Sequence, residues 1–92
     1  MTSNDTFRLI CANILQIIPG TREEDISRES MCAPIGLDSI GRAELIEMTL
    51  EDLGLKVSRF EFHIAHNLGE LSDLFTRELQ KHGQNTNLIG EI

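Results

Sequence analysis

Apolar residues recur at helical spacing in three stretches of the chain. Phe7, Ile10, Cys11, Ile14, Leu15 and Ile18 stand at i, i+3, i+4, i+7, i+8 and i+11, one stripe of an amphipathic helix. That helix is expected from about Asp5 to Ile18, with Asn4 or Asp5 as its cap and Pro19-Gly20 as its stop. Leu45, Ile46, Thr49, Leu50 and Leu53 form the inward face of a second helix, Ser39 to Leu53, with Glu44, Glu47, Glu51 and Asp52 mainly on the other side. Asp38 suits its N-cap and Gly54 its C-cap. Leu68, Leu71, Leu74, Phe75 and Leu79 mark a last helix, started by Asn67 with Glu70 as capping-box partner and stopped by Gly83.

The segments between are of two kinds. Residues 19–37 form a long connection in which Pro34 rules out a regular helix. Thr21 and Glu24 have capping-box spacing for one short turn, and Met31, Ile35 and Leu37 are expected to dip into the core. Leu55-Lys56-Val57 is extended and leads to a short helix near Ser58–His63, with Phe60 and Phe62 facing in. The pattern predicts an all-α domain, a small irregular four-helix bundle with a long loop between helices 1 and 2. The domain occupies residues 1–83, and residues 84–92 read as a flexible tail.

Composition narrows the function. Ninety-two residues make one small domain with little room for a catalytic cleft. A formal net charge of -7 excludes a nucleic-acid partner and suits basic ones. There is no Trp or Tyr and only four Phe, so the core is aliphatic. Cys11 falls on an apolar helix face and Cys32 in a loop, which gives no disulfide framework. His63 and His66 are spaced i, i+3 without Cys or convergent carboxylates, so no metal site is expected. The N-terminus shows neither a signal peptide nor a transmembrane span, and a cytoplasmic monomer with no membrane partner is the default.

The chemistry concentrates in Gly36-Leu37-Asp38-Ser39-Ile40. Ser39 falls in the first turn of the second helix, where unpaired N–H groups and the positive end of the dipole suit an anionic phosphodiester. A serine at a helix start is common by itself; the whole string, after a long loop and before an acidic helix, makes Ser39 a modification site. Asp38 beside it can cap the helix and can also help ligate a magnesium ion brought by a modifying enzyme. A nucleophilic serine would need a base and an orienter, and the three histidines lie far along the chain. Glu44, Glu47 and Glu51 form an acidic face for basic partners, Ile40 is a candidate apolar anchor, and Arg42 is a lone positive charge within that face.

The motif and the layout resemble the acyl carrier protein superfamily over nearly all of residues 5–80. The resemblance implies that 4'-phosphopantetheine is attached to Ser39 by a phosphopantetheinyl transferase. It also implies that the second helix is the recognition helix, through Ile40 and the acidic residues after it. A narrower resemblance runs through Ser39-Ile40-Gly41-Arg42-Ala43-Glu44-Leu45-Ile46, Met48-Thr49-Leu50, Leu53-Gly54-Leu55 and Asn67-Leu68-Gly69-Glu70-Leu71. It is similar to the stand-alone donor carriers of polyketide β-branching cassettes, with Arg42-Ala43-Glu44 carrying most of the likeness. Leu37-Asp38 and Gly41 depart from the usual residues of that group. Arg42 and Glu47 replace neutral or apolar positions of fatty acid synthase carriers.

The resemblance thus implies a carrier, not an enzyme. It would tether an acetyl or malonyl thioester for polyketide biosynthesis. Its implied partners are an HMG-CoA synthase-like enzyme and a ketosynthase, decarboxylase or acyltransferase. The alternatives are a carrier for fatty acid, D-alanine or peptide synthesis, and an unmodified helical module that uses the acidic face alone.

Overall fold

The computed structural model describes the backbone of residues 2–91 and the side chains through Lys81. Its regular elements are helical: α1 (Ser3–Ile17), α2 (Ser39–Leu53) and α3 (Leu68–Glu91), with 3-10 turns at Glu23–Asp25 and Arg59–Phe62. Among the described residues the architecture is therefore three α-helices, not the four expected. Ser58–His63 is the segment that differs. Its Ser58 hydroxyl accepts the Phe60 N–H, and the backbone closes i+3 bonds from Glu61 to Ser58 and from His63 to Phe60. So few residues return too few bonds for the dihedrals an α-helix must fix, and the tighter turn wins. Its geometry turns Phe62 inward at 1% exposure, where it stacks on Phe75 with ring centroids 4.3 Å apart. Phe60, expected inside, is 67% exposed.

The helix ends follow from local chemistry. α1 starts one turn earlier than its apolar stripe: Thr2 is the cap and Asp5 its reciprocal partner, since Thr2 Oγ1 accepts the Asp5 N–H and Asp5 Oδ2 accepts the Thr2 N–H. α2 has the expected bounds, and Gly54 closes it in the left-handed region at φ 68°. Asn67 caps α3 through the Glu70 N–H at 2.8 Å, but the Glu70 carboxylate accepts from His66 N–H, one residue before the capping-box position. α3 runs past Gly83, the stop expected from the sequence, to Glu91. Residues 84–92, expected to form a flexible tail, have side chains that lie outside the described residues.

The core gathers Ile10, Ile14, Leu45, Ile46, Phe62, Leu68 and Phe75 between the three helices. Two buried polar contacts set the packing. Thr6 and Thr76 hydroxyls meet at 2.9 Å between α1 and α3. Asn13 donates to Thr49 Oγ1 at 3.1 Å and to Asp52 Oδ2 at 3.0 Å between α1 and α2.

The long connection is ordered because α3 needs it. Ser30 and Arg28 carbonyls accept the Leu68 and Gly69 N–H groups, two donors the helix cannot satisfy itself. The Arg28 guanidinium then reaches Ser3 Oγ, the Gly69 carbonyl and Asp73 Oδ1. Glycine fits there best, since a Cβ at position 69 would stand 3.0 Å from the Arg28 carbonyl oxygen. The turn at Glu23–Asp25 forms as expected, but its flanking residue is Arg22 and no side chain caps it. Leu37 is buried and Ile35 half-buried as expected, whereas Met31 is 53% exposed. Among the described residues no helix is long and apolar enough to cross a membrane.

Candidate functional site

The site is built where the long connection enters α2. Gly36 sits at φ 104°, a conformation that costs a side-chain-bearing residue, and it turns Leu37 into the core. Leu37 N–H bonds the Cys32 carbonyl at 2.9 Å, which closes the loop before the helix. Asp38 follows in extended geometry. Its Oδ1 accepts the Gly41 N–H at 2.8 Å and its carbonyl accepts the Arg42 N–H at 2.8 Å. This is the cap expected of it, with a contribution of about 1 kcal/mol. Gly41, out of place in a helix by propensity, is explained by Leu37: a Cβ would stand 3.1 Å from Leu37 Cδ2 and 3.4 Å from Asp38 Oδ1.

Ser39 is thereby the first residue of α2 and is exposed. The Ser39 and Ile40 N–H groups are among the helix-start donors that have no carbonyl one turn back. An anionic ester on Ser39 Oγ would sit against those donors and the positive end of the helix. The groove beside Ser39, about 290 Å³, is lined by Cys32, Ala33, Leu37, Asp38, Ser39 and Arg42. It carries no imidazole, and Asp38 points a carboxylate oxygen at the helix backbone. The surroundings suit a hydroxyl that is modified by another protein better than one that attacks a substrate unaided.

The proposed partner face divides. Ile40 is 78% exposed, and Glu44, Glu47 and Glu51 are exposed after it at i+4, i+7 and i+11, one straight stripe. Glu47 faces Arg59 at 3.6 Å across an exposed pair of little energetic weight. Ala43 is half-buried at the edge of the stripe. Arg42 leaves it. Its Nη2 donates to the His63 carbonyl at 3.2 Å and to the Ala65 carbonyl at 2.8 Å, joining α2 to the segment before α3. Arg42 Nε is buried and has no hydrogen-bond partner among the described residues. Leaving such a donor unpaired costs about 1–3 kcal/mol.

The sequence offers no sign of this arrangement, because Arg42 is held by the backbone carbonyls of His63 and Ala65, which no side-chain motif marks. Burial raises the Cys32 thiol above its usual value, and the Arg42 charge pulls it partly back. Cys11, in the core, is pushed up to about 11 by burial and then by the Glu23 charge. His66 pairs with Glu70 through Nδ1 at 3.4 Å, which accounts for one of the two spaced histidines. Among the described residues no group of three His, Cys, Asp or Glu side chains could hold a metal ion.

Known proteins are similar to this chain in sequence and in fold. No family model matches the chain. The polyketide biosynthesis acyl-carrier-protein AcpK of Bacillus subtilis (strain 168) is 34% identical over 80 residues, covering 87% of this chain and 98% of the relative. A chain in the crystal structure of the curacin biosynthetic pathway HMG synthase in complex with its acetyl donor acyl carrier protein superposes with a TM-score of 0.77. The two are 35% identical, and the match covers 82% of this chain and 96% of the other.

Proposed function

The chain belongs to the acyl carrier proteins, and from that premise we propose that it is an acetyl or malonyl donor carrier in polyketide β-branching, modified at Ser39. As an acyl carrier protein it is a carrier and not an enzyme. The observation that carries the reading is the exposed Ser39 hydroxyl at the first position of α2, beside a groove and at the head of the Ile40–Glu51 stripe.

Each residue has a task in this reading. Ser39 Oγ loses its proton and forms the bond to the phosphorus of the phosphopantetheine half of coenzyme A, the diphosphate P–O bond breaks and adenosine 3',5'-bisphosphate leaves, with a phosphopantetheinyl transferase as catalyst. Asp38 holds the helix start rigid, and in this reading its carboxylate shares a divalent cation in that enzyme's site. The α2 N–H groups stabilise the phosphodiester afterwards. When attached, the arm supplies a thiol that holds the acyl group as a thioester. Ile40 gives docking an apolar anchor, and Glu44, Glu47 and Glu51 steer a basic partner surface and fix its register. An HMG-CoA synthase-like enzyme is the partner that the likeness to the curacin structure supports.

Intact mass of the purified chain, before and after coenzyme A and a broad-specificity phosphopantetheinyl transferase, tests the reading. One phosphopantetheine should be added, and none to Ser39→Ala. No addition with a competent transferase would leave the acidic face of an unmodified interaction module as the better account. With the acetyl-loaded chain and an HMG-CoA synthase-like enzyme, Glu44→Gln with Glu51→Gln should slow association at low salt and remove most of its salt dependence.

A further inference from the structure

Four large apolar side chains stand exposed among the described residues: Met31, Ile40, Phe60 and Ile64. Ile40 heads the acidic stripe of α2. Phe60 is the aromatic one, carried on the turn at Arg59–Phe62. Its ring is held in place. The Arg59 guanidinium lies over it, 5.1 Å from the centroid, and the His63 imidazole stacks on it with centroids 5.6 Å apart. A cation over a ring face is an attractive contact. The turn itself is tied to α2, because Arg42 donates to the His63 and Ala65 carbonyls. Phe60 is therefore set before any partner arrives, and it loses less rotamer freedom when it is covered. An uncovered aromatic ring held in this way has the properties of a docking anchor.

Arg59 joins this ring to the acidic stripe, since its Nη1 lies 3.6 Å from Glu47 Oε1. The line Ile40, Glu44, Glu47, Glu51 is thus continued sideways, through Arg59, to Phe60. The sign of the charge changes on the way. The helix offers exposed carboxylates at 44, 47 and 51, and the turn offers an exposed guanidinium at 59. The Glu47–Arg59 pair is exposed and weak, so both groups can still meet a partner charge.

We propose that Phe60 is a second apolar anchor for the HMG-CoA synthase-like enzyme, and that the enzyme surface it fits is two-signed: an apolar hollow for the ring, basic groups against Glu44 and Glu51, and a carboxylate against Arg59. The inference rests on the donor-carrier reading above. A single anchor at Ile40 lets a partner pivot about the stripe. Two anchors on different elements fix the orientation of docking. The change of sign adds to this, because a turned pose sets basic groups against Arg59 and the carboxylate against the stripe.

The test passes the phosphopantetheine-loaded chain over an immobilised HMG-CoA synthase-like enzyme and reads affinity by surface plasmon resonance at low and high salt. Loading is verified by mass and folding by circular dichroism. Phe60→Ala should weaken binding about tenfold or more, by a similar factor at both salts, because the lost contact is apolar. Phe60→Leu should keep most of the affinity. Arg59→Glu should weaken binding at low salt and by a smaller factor at high salt. Wild-type affinity in loaded, folded Phe60→Ala would overturn the second anchor. Unchanged or tighter binding by Arg59→Glu would overturn the two-signed surface. No binding by the loaded wild type would overturn the donor reading itself, and the anchor with it.

Discussion

Asn13 is the buried polar group whose removal tests the packing of α1 on α2 most directly. It is 2% exposed in α1 and donates to Thr49 and Asp52 of α2. The bond to Thr49 is neutral and buried, worth about 1 kcal/mol. The bond to Asp52 has a charged acceptor, but Asp52 is exposed, so water recovers part of it and about 1 kcal/mol is again a fair figure. Asn13→Ala should therefore destabilise the domain by about 2 kcal/mol, a melting shift of roughly 8–16 °C at this chain length. Asn13→Leu fills the volume, and Thr49 Oγ1 still donates to the Leu45 carbonyl at 2.8 Å, so its cost should be near 1 kcal/mol. In a double-mutant cycle with Thr49→Val, residues 13 and 49 should couple by about 1 kcal/mol. Urea unfolding followed by far-ultraviolet circular dichroism is the assay, since the chain has no Trp or Tyr. Addition of phosphopantetheine to Ser39 should be unchanged in folded Asn13→Ala. A loss below about 0.5 kcal/mol for Asn13→Ala, or no coupling in the cycle, would show that the α1–α2 contact is apolar packing with the polar pair incidental.

Other contacts lead to expectations of the same kind. Gly69→Ala should lower stability by about 1–3 kcal/mol in urea unfolding although alanine favours helix, because the new Cβ meets the Arg28 carbonyl. A stable Gly69→Ala would mean that the loop yields there. Alkylation with iodoacetamide at pH 8, read by peptide mass, should label Cys32 well before Cys11, while both react more slowly than a free thiol because burial raises both. Equal labelling of the two would refute the burial argument. Asp5 and Asp73 are held below the usual carboxylate value, Asp5 by the Thr2 N–H and hydroxyl, Asp73 by the Ser3 hydroxyl and then Arg28. Their stabilisation is thus complete above the ordinary value of 3.8 and lost as pH falls through the lower folded values. Asp73→Asn should flatten part of that acid limb in melting temperature against pH, and an unchanged limb would remove Asp73 from the account.

The helices and the cap beside the serine proposed for modification are legible in the sequence because their causes are local. An apolar stripe at helical spacing, a cap residue and a stop residue all act within a few positions, and such signals place Asp38, Ser39 and Gly54. Where tertiary contacts decide, the pattern misleads. Phe60 and Phe62 have equal hydrophobic claims, and only the packing of a short turn against Phe75 sends Phe62 in and Phe60 out. Gly41 reads as a helix defect until Leu37, packed beneath it, supplies the reason.

By itself, then, the sequence determined an all-helical acyl carrier protein with an exposed serine at the head of an acidic helix. Periodicity, capping and a contiguous motif need no knowledge of distant residues. Only the tertiary structure decided that Arg42 turns away from the acidic stripe to bind the carbonyls at 63 and 65, and that Cys32, Ala33 and Arg42 line both the groove at Ser39 and a second cavity that reaches Asn67. A long flexible cation on a helix can reach several acceptors, and which one it finds is set by backbone brought there from elsewhere in the chain.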